Sequence, residues 1–588
     1  MAFVNQITLP QEILDRIDRV LDYHQSTKLT FDSVRADPLT VDPSKQPYEF
    51  RVFDMRPKTP LPTGLLDIAV PTIDLMMQGL EALPPSQIGP PQDLKTLATW
   101  LHFANGVASK RRTVTQTVFT RTVASDAGTF PGETYVAAFA VDGLPSGLYH
   151  YSPREFALRK LRDGPETLAR LTRGRPDLAF LKTVPAALLV SSIFCRSTWR
   201  FGKRGYRHAL HDVGYLLQNL VTVATGLGIQ TMARLHVNDS ATRELIGVDV
   251  DADFAQAEAV HAMVIWADRA ACPMPREAAQ PSHDDSPERS QLAGMTAVGP
   301  TGGRTLDPAQ ITARPQQASL PPVERTELAV EVTPYVSILA THVDCVAPGI
   351  ALREIRPPLT DLTPLAPNTP IVEPPTNSEA PTGQALRRVL LTRQASARFG
   401  PRGIPRDAFV TINRTAFRGG TYFPLHPDGP HVALVRPFWL IHDVAGMDSG
   451  IWYYNPPTDE WSLLRAGTFR RETFFLAHEQ SAFGQCAAAC LMTANLRDLM
   501  SVTGPDIYRL AHIEAGIVTN RIALSSEAMD LAWFESGLIY DDETRTFLGI
   551  QNSGWEVLCA VAIGNRAVSG DQQTPQPGPQ GAGLDWRD

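Results

Sequence analysis

The feature that most constrains the fold of this chain is an internal repeat. Residues 200–220, RFGKRGYRHALHDVGYLLQNL, carry apolar side chains at helical spacing, which predicts a long helix with a buried face. Residues 504–520, GPDIYRLAHIEAGIVTN, match this segment at a constant offset of 302 residues. The identical residues are Gly202, Tyr206, Arg207, Ala209 and Gly214, which correspond to Gly504, Tyr508, Arg509, Ala511 and Gly516. The chain therefore contains two copies of one unit.

The repeat extends beyond this helix. GLYHY at 147–151 returns as GIWYY at 450–454, and ELIGVD at 244–249 returns as TFLGIQ at 546–551. A looser match relates RTVASDAGTFPGETY, which begins at Arg121, to RTAFRGGTYFPLHPD, which begins at Arg414. Because the motifs keep their order and nearly the same offset, we predict two copies of an α+β unit of about 200 residues each.

Changes in composition along the 588 residues suggest where the domains begin and end. Residues 1–60 are predicted to form a leader with a short amphipathic helix, and residues 61–271 a first domain. Residues 272–380 are rich in proline and polar side chains, which predicts a partly disordered linker. A second domain is predicted at 381–568, followed by a disordered tail at 569–588.

Charge and hydropathy exclude several classes of function. The net charge of −8 offers no basic stripe, so we expect no nucleic-acid partner. No apolar run approaches the roughly 18 residues that a membrane span needs. The six cysteines have no disulfide-rich spacing, and the first residues lack the pattern of a signal peptide. We therefore expect a cytoplasmic protein.

Two local patterns have structural interpretations. His208 and His211 are three residues apart on the predicted helix, but no cysteine or carboxylate cluster completes a metal site, so no metal is predicted. The segment FGQCAAACLM is predicted to be helical, with Cys486 and Cys490 as small core residues.

Three motifs in order, RTVASDAGTFPGE, GLPSGLYHYSP and RFGKRGYRHALHDVGYLLQN, resemble the nitroreductase superfamily, in particular its SagB/ThcOx-type dehydrogenases. The pattern of that group is approximately RTxPSAGxxYPxE, GLxxGLYHYxP and KYGxRxYRxxxxxxGxxxQN. The resemblance covers both halves apart from the linker and the tail. It implies an α+β fold of two tandem nitroreductase-like domains, each a mostly antiparallel sheet flanked by helices, which pair as an intramolecular pseudo-dimer.

The resemblance also implies FMN, which the family holds between two units that are usually separate chains. Here the linker joins the units, so they can pair within one chain. In the family, arginines bind the phosphate, and a glycine turn and a serine loop contact the ring. Carried over onto this chain, the cofactor-binding positions are Arg393, Gln394, Ala395 and Arg398 in RQASARFG, Glu535, Ser536 and Gly537 in FESG, Arg566 at the end of the last strand, and Ser125, Asp126 and Gly128 in the first domain.

A second, symmetry-related flavin site is predicted to be lost. Leu235 and His236 stand where the family has two glycines, and Phe417 and Arg418 replace its Pro-Ser pair. The first domain also lacks the arginine-rich segment. The resemblance therefore implies one FMN per chain, with the first domain retained as a degenerate half-site.

The catalytic residues are left open. Family members that oxidise azolines are associated with a Lys-Tyr pair, which is Arg200-Phe201 here. An arginine remains protonated near neutral pH and cannot act as a base, which argues against azoline oxidation. Arg200 and Tyr206 are the candidates. The alternative for the repeated Tyr-Arg pair is packing and ion pairing, because both copies carry it.

The resemblance implies an FMN-dependent dehydrogenase that acts on a peptide- or amino-acid-derived small molecule in natural-product biosynthesis, with a biosynthetic partner enzyme. The pseudo-dimer could also associate further. One alternative is an NAD(P)H-dependent reductase of nitro groups, quinones or activated alkenes. The other is a flavin-free scaffold that binds a peptide or a partner enzyme. It is suggested by Ala395 and Ala397, which stand where the family pattern has a serine and often a basic residue at the phosphate site.

Overall fold

The computed structural model describes residues 9–112, 117–235, 237, 239–248, 254–267, 320, 323–325, 328, 332–346, 382–419, 434–456 and 458–567. The α-helices of the described residues are α1 Gln11–Ser26, α2 Phe31–Ala36, α3 Thr72–Gln78, α4 Leu94–Asn105, α5 Gly164–Leu171, α6 Phe194–Phe201, α7 Gly205–Gly226, α8 Asp239–Ile246, α9 Val336–Val346, α10 Leu386–Thr392, α11 Arg406–Phe417, α12 Arg470–Leu476, α13 Ser481–Gln485, α14 Leu496–Thr503, α15 Asp506–Ala528 and α16 Asp541–Leu548. Their strands are β1 Lys58–Pro60, β2 Val107–Arg112, β3 Thr117–Arg121, β4 Gly132–Ala138, β5 Gly147–Ser152, β6 Ala157–Asp163, β7 Ala186–Ile193, β8 Gln230–Arg234, β9 Glu258–Ala267, β10 Arg436–Ile441, β11 Gly450–Asn455, β12 Glu460–Ala466, β13 Ala488–Asn495, β14 Leu531–Ser536 and β15 Trp555–Asn565. The predicted tail and most of the predicted linker lie outside the described residues.

The described strands form two large antiparallel sheets with the same topology, and β2 and β3 form a separate two-stranded sheet. The first has the order β1-β6-β5-β4-β7-β9-β8, and the second has the order β12-β11-β10-β13-β15-β14. Apart from the additional edge strand β1, each strand of the first sheet has an equivalent at the same place in the second. Helices cover both sheets. The predicted α+β fold is confirmed, and the two sheets reproduce the repeat found in the sequence.

The two units meet where α7 crosses α15, at the repeated glycines. A Cβ atom on Gly214 would lie 2.1 Å from the carbonyl oxygen of Ile513, and one on Gly516 would lie 2.0 Å from the carbonyl oxygen of His211. Real Cβ atoms do not approach a carbonyl oxygen this closely, so only glycine fits at the crossing. The repeated glycine is therefore the contact between the copies.

The continuous helix predicted at 200–220 was wrong. Helix α6 ends at Phe201 and α7 begins at Gly205, and between them Gly202 adopts a φ of +55°. Its repeat, Gly504, has a φ of +96° between α14 and α15. A positive φ is disfavoured for other residues, so the first repeated glycine marks a helix break in both copies.

Each repeated tyrosine bonds to a histidine on a separate helix. The hydroxyl of Tyr508 lies 3.3 Å from Nδ1 of His24 on α1, and the hydroxyl of Tyr206 lies 3.0 Å from Nδ1 of His342 on α9. Helix α9 belongs to the predicted linker, so part of that segment is folded onto the domains. An ion pair between Arg19 and Asp344, at 2.7 Å, connects the two helices. The repeat thus includes a pair of capping helices.

The repeated arginines fasten each long helix to the sheet of the other unit. Arg207 donates a hydrogen bond to the carbonyl oxygen of Val557 in β15 at 3.0 Å, and Arg509 donates one to the carbonyl oxygen of His261 in β9 at 2.9 Å. Both are fully buried and both pair with an aspartate. The geometry favours the packing and ion-pair interpretation of the repeated Tyr-Arg pair.

The helix predicted for FGQCAAACLM was also wrong beyond its first residues. Helix α13 ends before Cys486, and Cys490 lies in β13 between Trp439 of β10 and Val561 of β15. A short apolar run does not distinguish a buried strand from a buried helix. Both cysteines are fully buried, so their predicted place in the core was correct.

Candidate functional site

The structure brings together the three segments from which the sequence predicts a cofactor site. Arg393, at the end of α10, donates a hydrogen bond to the carbonyl oxygen of Thr122 at 3.0 Å and lies over the ring of Trp533 in β14. In the turn after β14, a Cβ atom on Gly537 would lie 3.3 Å from the carboxylate of Asp126. A loop of the first unit therefore meets the α10 end and the β14 turn of the second.

The loop that contains Ser125 is held by a carboxylate on α7. Asp212 accepts hydrogen bonds from the Ser125 hydroxyl, at 2.5 Å, and from the backbone N–H of Asp126, at 2.9 Å. Ala127 and Gly128 then follow with positive φ values of 50° and 68°, which turn the chain sharply. Burial raises the pKa of Asp212 well above its usual range. The loop is therefore fixed before any ligand binds.

In the second unit, too, a carboxylate on the long helix accepts hydrogen bonds from a loop. Glu514, which is the repeat of Asp212, accepts backbone hydrogen bonds from Leu434 at 2.6 Å and Val435 at 3.1 Å. An acidic residue therefore has the same structural role at this position of both long helices, since each helix orders a loop of its own unit.

Arg204 and Asp541 hold the Gly537 turn. The Nε of Arg204 donates to the carbonyl oxygen of Gly537 at 3.0 Å, and its Nη1 donates to Asp541 at 2.7 Å. Burial alone would raise the pKa of Asp541, but the charges of Arg204 and Arg207 outweigh it and hold that pKa well below its usual range. Sequence reasoning missed both residues, because no spacing pattern relates positions so distant in the chain.

His208 covers one face of the Gly537 turn. A Cβ atom on Gly537 would lie 2.5 Å from Cε1 of His208, so a side chain there is excluded. His208 pairs through Nδ1 with the carboxylate of Asp126, and Phe201 stacks on its other face with ring centroids 3.6 Å apart. His208 was considered only as a metal ligand in the sequence, and its contact with the turn was missed.

The two catalytic candidates have different surroundings. Tyr206 is fully buried and directs its hydroxyl to His342. Arg200 is half-buried near the end of α6, and its neighbour Phe201 is the residue that stacks against His208. Of the Arg200-Phe201 pair, it is therefore the phenylalanine that contacts His208 beside the Gly537 turn.

A buried carboxyl group occupies the interface beside the turn. Glu535 in β14 accepts a hydrogen bond from the hydroxyl of Tyr215 on α7. Burial raises the pKa of Glu535 well above its usual range, and the negative charges of Asp126 and Asp212 add to the effect. A carboxyl group with a raised pKa keeps its proton to a higher pH than an exposed carboxyl group does.

Two buried N–H donors at this interface lack an acceptor among the described residues. They are Nε of Arg393 and Nε1 of Trp533. Unpaired buried donors are rare in folded proteins because the missing hydrogen bond is costly. FMN presents phosphate, ribityl and ring acceptors, so these donors fit such a group. Burial lowers the pKa of Arg393 to about 10, which still leaves it charged at neutral pH.

The remaining predicted positions lie around this interface with partners of their own. Arg566 pairs with Glu527 at 2.8 Å and is partly exposed. The hydroxyl of Ser536 accepts a hydrogen bond from Gln480 at 2.8 Å. Gln394 and Arg398 are exposed and Ala395 is half-buried.

At the position of the second flavin site, the described residues serve packing. Leu235 is buried and its carbonyl oxygen accepts a hydrogen bond from Arg509. Phe417 packs against Tyr454, and Arg418 donates to the carbonyl oxygen of Pro456 at 2.9 Å. His236 lies outside the described residues. The loss of that site stays a prediction.

A surface groove of about 430 Å³ lies between α12 and α16. Its lining consists of Glu472, Phe475, Leu476, Asp542, Glu543, Thr546 and Phe547. Three carboxylates beside apolar rings do not suit a phosphate, so this groove is not where the sequence-predicted cofactor would bind.

Two further classes of feature were sought in the described part of the chain. There, no group of three or more histidine, cysteine, aspartate or glutamate side chains is arranged to hold a metal ion. None of the helices found there is sufficiently long and apolar to cross a membrane.

Comparison with known proteins relates the chain to the nitroreductases. Residues 93–263 match the Nitroreductase family. A protein of Methanocaldococcus jannaschii whose name assigns it to the nitroreductases is 29% identical over 158 residues, which cover 27% of this chain and 76% of that relative. The crystal structure of a protein of Anabaena variabilis, described in the same terms, superposes with a TM-score of 0.66 at 21% identity and covers 93% of this chain and 99% of its own. The chain thus has a nitroreductase-like α+β fold, and its residues 93–263 are similar to the Nitroreductase family.

Proposed function

We propose that this protein is an FMN-dependent oxidoreductase that binds one FMN per chain, at the interface between its two units. The observation that supports this most strongly is the pair of unpaired buried donors, Arg393 Nε and Trp533 Nε1, at the meeting point of the predicted segments. The similarity of residues 93–263 to the Nitroreductase family supports the same class of chemistry.

In this proposal each segment has a separate task. Arg393, with Arg398 and Arg566 nearby in sequence or space, would bind the phosphate, because guanidinium groups suit that geometry. The Ser125–Gly128 loop and the Glu535–Gly537 turn would contact the ring. When bound, FMN would supply the ability to accept and return a hydride.

The side chains around the turn would manage the proton that accompanies hydride transfer. Burial raises the pKa of Glu535, so this carboxyl group keeps its proton to a higher pH than an exposed glutamate. Asp126 fixes the proton of His208 on Nδ1, which leaves Nε2 as an acceptor. Phe201 stacks on one face of the His208 ring and keeps water from that face. These residues could take up or release a proton without exposing the site.

We propose the dehydrogenase direction, with a peptide- or amino-acid-derived substrate and a biosynthetic partner enzyme, as the motif resemblance implies. The alternative is reduction of a nitro group, a quinone or an activated alkene with electrons from NAD(P)H. Anaerobic stopped-flow mixing distinguishes the two directions. Rapid reduction of bound flavin by NADH or NADPH would support the reductase and contradict the dehydrogenase.

A flavin-free scaffold is favoured by one specific observation. His208 and Asp126 already fill the space against Gly537, and Ala395 and Ala397 offer no polar group to a phosphate. Purified protein that remains colourless after addition of FMN would establish this second candidate and would overturn the enzyme proposal.

The test of the cofactor site compares Arg393, which follows the last residue of α10, with Arg387, which lies within α10. Arg393→Ala should abolish FMN binding, because it removes the buried guanidinium at the interface. Arg387→Ala is the matched control, since Arg387 is an exposed residue that pairs with Asp67. Binding is measured by titration of apoprotein with FMN, followed through flavin fluorescence. Equal affinities of the two variants would contradict the site assignment.

A further inference from the structure

A row of buried histidines begins at the Gly537 turn and crosses the interface between the units. His208 contacts the turn, and the centroid of its ring lies 6.1 Å from that of His211 one helical turn later. Nε2 of His211 then lies 3.1 Å from Nδ1 of His512 on α15. His24 on α1 follows, with its ring centroid 6.3 Å from that of His512. All four side chains are almost completely buried.

The row ends at a carboxylate near solvent. Nε2 of His24 lies 3.5 Å from the carboxylate of Glu556, whose side chain is 14% exposed and which also contacts Lys28 at 2.9 Å. Tyr508 lies beside the last step, because its hydroxyl is 3.3 Å from Nδ1 of His24 and its ring packs against His512. The two ends of the row are therefore the candidate site and the protein surface.

The chemistry of imidazole suits this row to proton transfer. In the hydrogen bond between His211 and His512, one ring nitrogen must donate and the other must accept. An imidazole that accepts a proton at one nitrogen can release another from its second nitrogen. Burial lowers the pKa of both rings well below the usual range, which keeps them neutral and able to accept.

The gaps of the row coincide with ring nitrogens that lack a partner among the described residues. They are Nε2 of His208, Nδ1 of His211, Nε2 of His512 and Nε2 of His24. A buried water that bridges two such nitrogens would satisfy them and would complete the connection. Only some of the ring nitrogens in the row have a hydrogen-bond partner within the protein. Buried histidines that only filled space would leave polar atoms unpaired at a cost, so packing alone does not explain them.

The second capping helix provides a contrast. Its His342 bonds to Tyr206 and lies beside His261, whose Nε2 is 2.8 Å from the hydroxyl of Ser192 in β7. This second row ends on a serine within the first sheet. It connects the repeated tyrosine to the core, whereas the row through His24 connects the candidate site to a partly exposed carboxylate.

We propose that His208, His211, His512 and His24 form a proton relay between the Gly537 turn and Glu556. Its purpose rests on the proposed function. Removal of two hydrogens from a substrate as one hydride and one proton leaves a proton at the buried site, and the relay carries that proton to solvent. In the opposite direction it delivers a proton from solvent. The hydride does not pass along the relay.

The relay is tested on protein without FMN, selectively labelled with 15N-histidine. NMR measures how fast the ring N–H shared by His211 and His512 exchanges with water. Replacement of the outlet, His24→Phe, should slow this exchange by at least about tenfold, since exchange must then await local opening of the structure. The matched control His342→Phe changes the equivalent histidine of the other helix and should leave the rate unchanged. Equal rates in the two variants would overturn the relay.

A second variant keeps the test independent of folding defects at α1. Glu556→Gln leaves His24 in place and removes only the terminal carboxylate, so it should slow the same exchange in the same direction. An unchanged rate in Glu556→Gln would also contradict the proposal. FMN titration of the same variants separates the two ideas: the relay can fail while FMN binds normally, and FMN binding can fail while the exchange rates follow the relay.

Discussion

The two units share one sheet topology but differ in what their long helices carry. On α7 the residues that face the candidate site are polar, and at the repeat positions on α15 most of them are apolar. The pairs are His208 and Leu510, His211 and Ile513, Asp212 and Glu514, and Tyr215 and Ile517. Only the acid that orders the loop of its own unit is kept in both.

This contrast shows what duplication within one chain permits. In a symmetric homodimer every substitution appears at both interfaces, so a polar site on one side must be repeated on the other. Here the side of the interface with the Gly537 turn contains the buried Asp126, Glu535 and His208, whereas Leu235 and Phe417 on the other side are packing residues. The elements that join the units, which are the glycine crossing and the Tyr-Arg pairs, remain equivalent.

The largest expected effect is a loss of stability when the aspartate partner of a repeated arginine is replaced. The two units should differ in this loss. Asp541→Asn should destabilise the protein by about 4 kcal/mol, because it leaves Arg204 and Arg207 buried without a counter-charge. Asp506→Asn, which affects the partner of Arg509, should cost less, about 1 kcal/mol, since Asp506 is partly exposed. Urea denaturation monitored by tryptophan fluorescence measures both. Equal losses would show that burial does not distinguish the two ion pairs.

The glycine crossing should respond symmetrically. Gly214→Ala and Gly516→Ala should each cost about 3 kcal/mol, because either Cβ would collide with a backbone carbonyl of the facing helix. Gly64→Ala is the control, since nothing lies within 4 Å of a Cβ at that position. The same denaturation measurement applies. A large difference between the two crossing variants would contradict the equivalence of the helices.

Stability should fall as the pH is lowered through the range of the buried histidines. Burial lowers the pKa of His24 from 6.5 to about 4. Below pH 6.5 the unfolded chain binds a proton that the folded protein does not, so His24 alone should reduce the free energy of unfolding by about 3 kcal/mol between pH 6.5 and 4. His24→Phe should flatten this dependence. Denaturation midpoints from pH 7.5 to 4.5 test it, and an unchanged slope in the variant would contradict the assignment.

The smallest effect concerns the outlet of the proposed relay. Lys28→Met removes the ion pair with Glu556. In this pair the lysine side chain is buried and the glutamate side chain is partly exposed. We expect a loss of about 1 kcal/mol in stability, measured by urea denaturation. FMN affinity should stay within twofold of the unchanged protein, since Lys28 lies at the far end of the histidine row. A strong loss of FMN binding would indicate that the outlet and the cofactor site are not separate.

The fold could be predicted where the sequence carried a repeated or periodic signal. The repeat predicted two α+β units, and both sheets are present. The break at Gly202 and the strand at Cys490 were missed, because local apolar patterns report burial more reliably than they report backbone geometry.

The site could be predicted only in part. The meeting of Arg393, the Ser125 loop and the Gly537 turn followed from the motif resemblance, and their roles toward FMN remain a proposal. Arg204, Asp541 and the histidine row could not be predicted, since their contacts join residues that are hundreds of positions apart and belong to different units. Such contacts exist only once α7 and α15 have crossed.

The central claim, one FMN in an interface with one polar side, is tested most directly by the flavin content of the purified chain. The protein is saturated with FMN, freed of excess by gel filtration and denatured, and released flavin is measured by absorbance against protein concentration. The account predicts one FMN per chain. Two per chain would contradict the asymmetry between the units, and none would contradict the cofactor site itself.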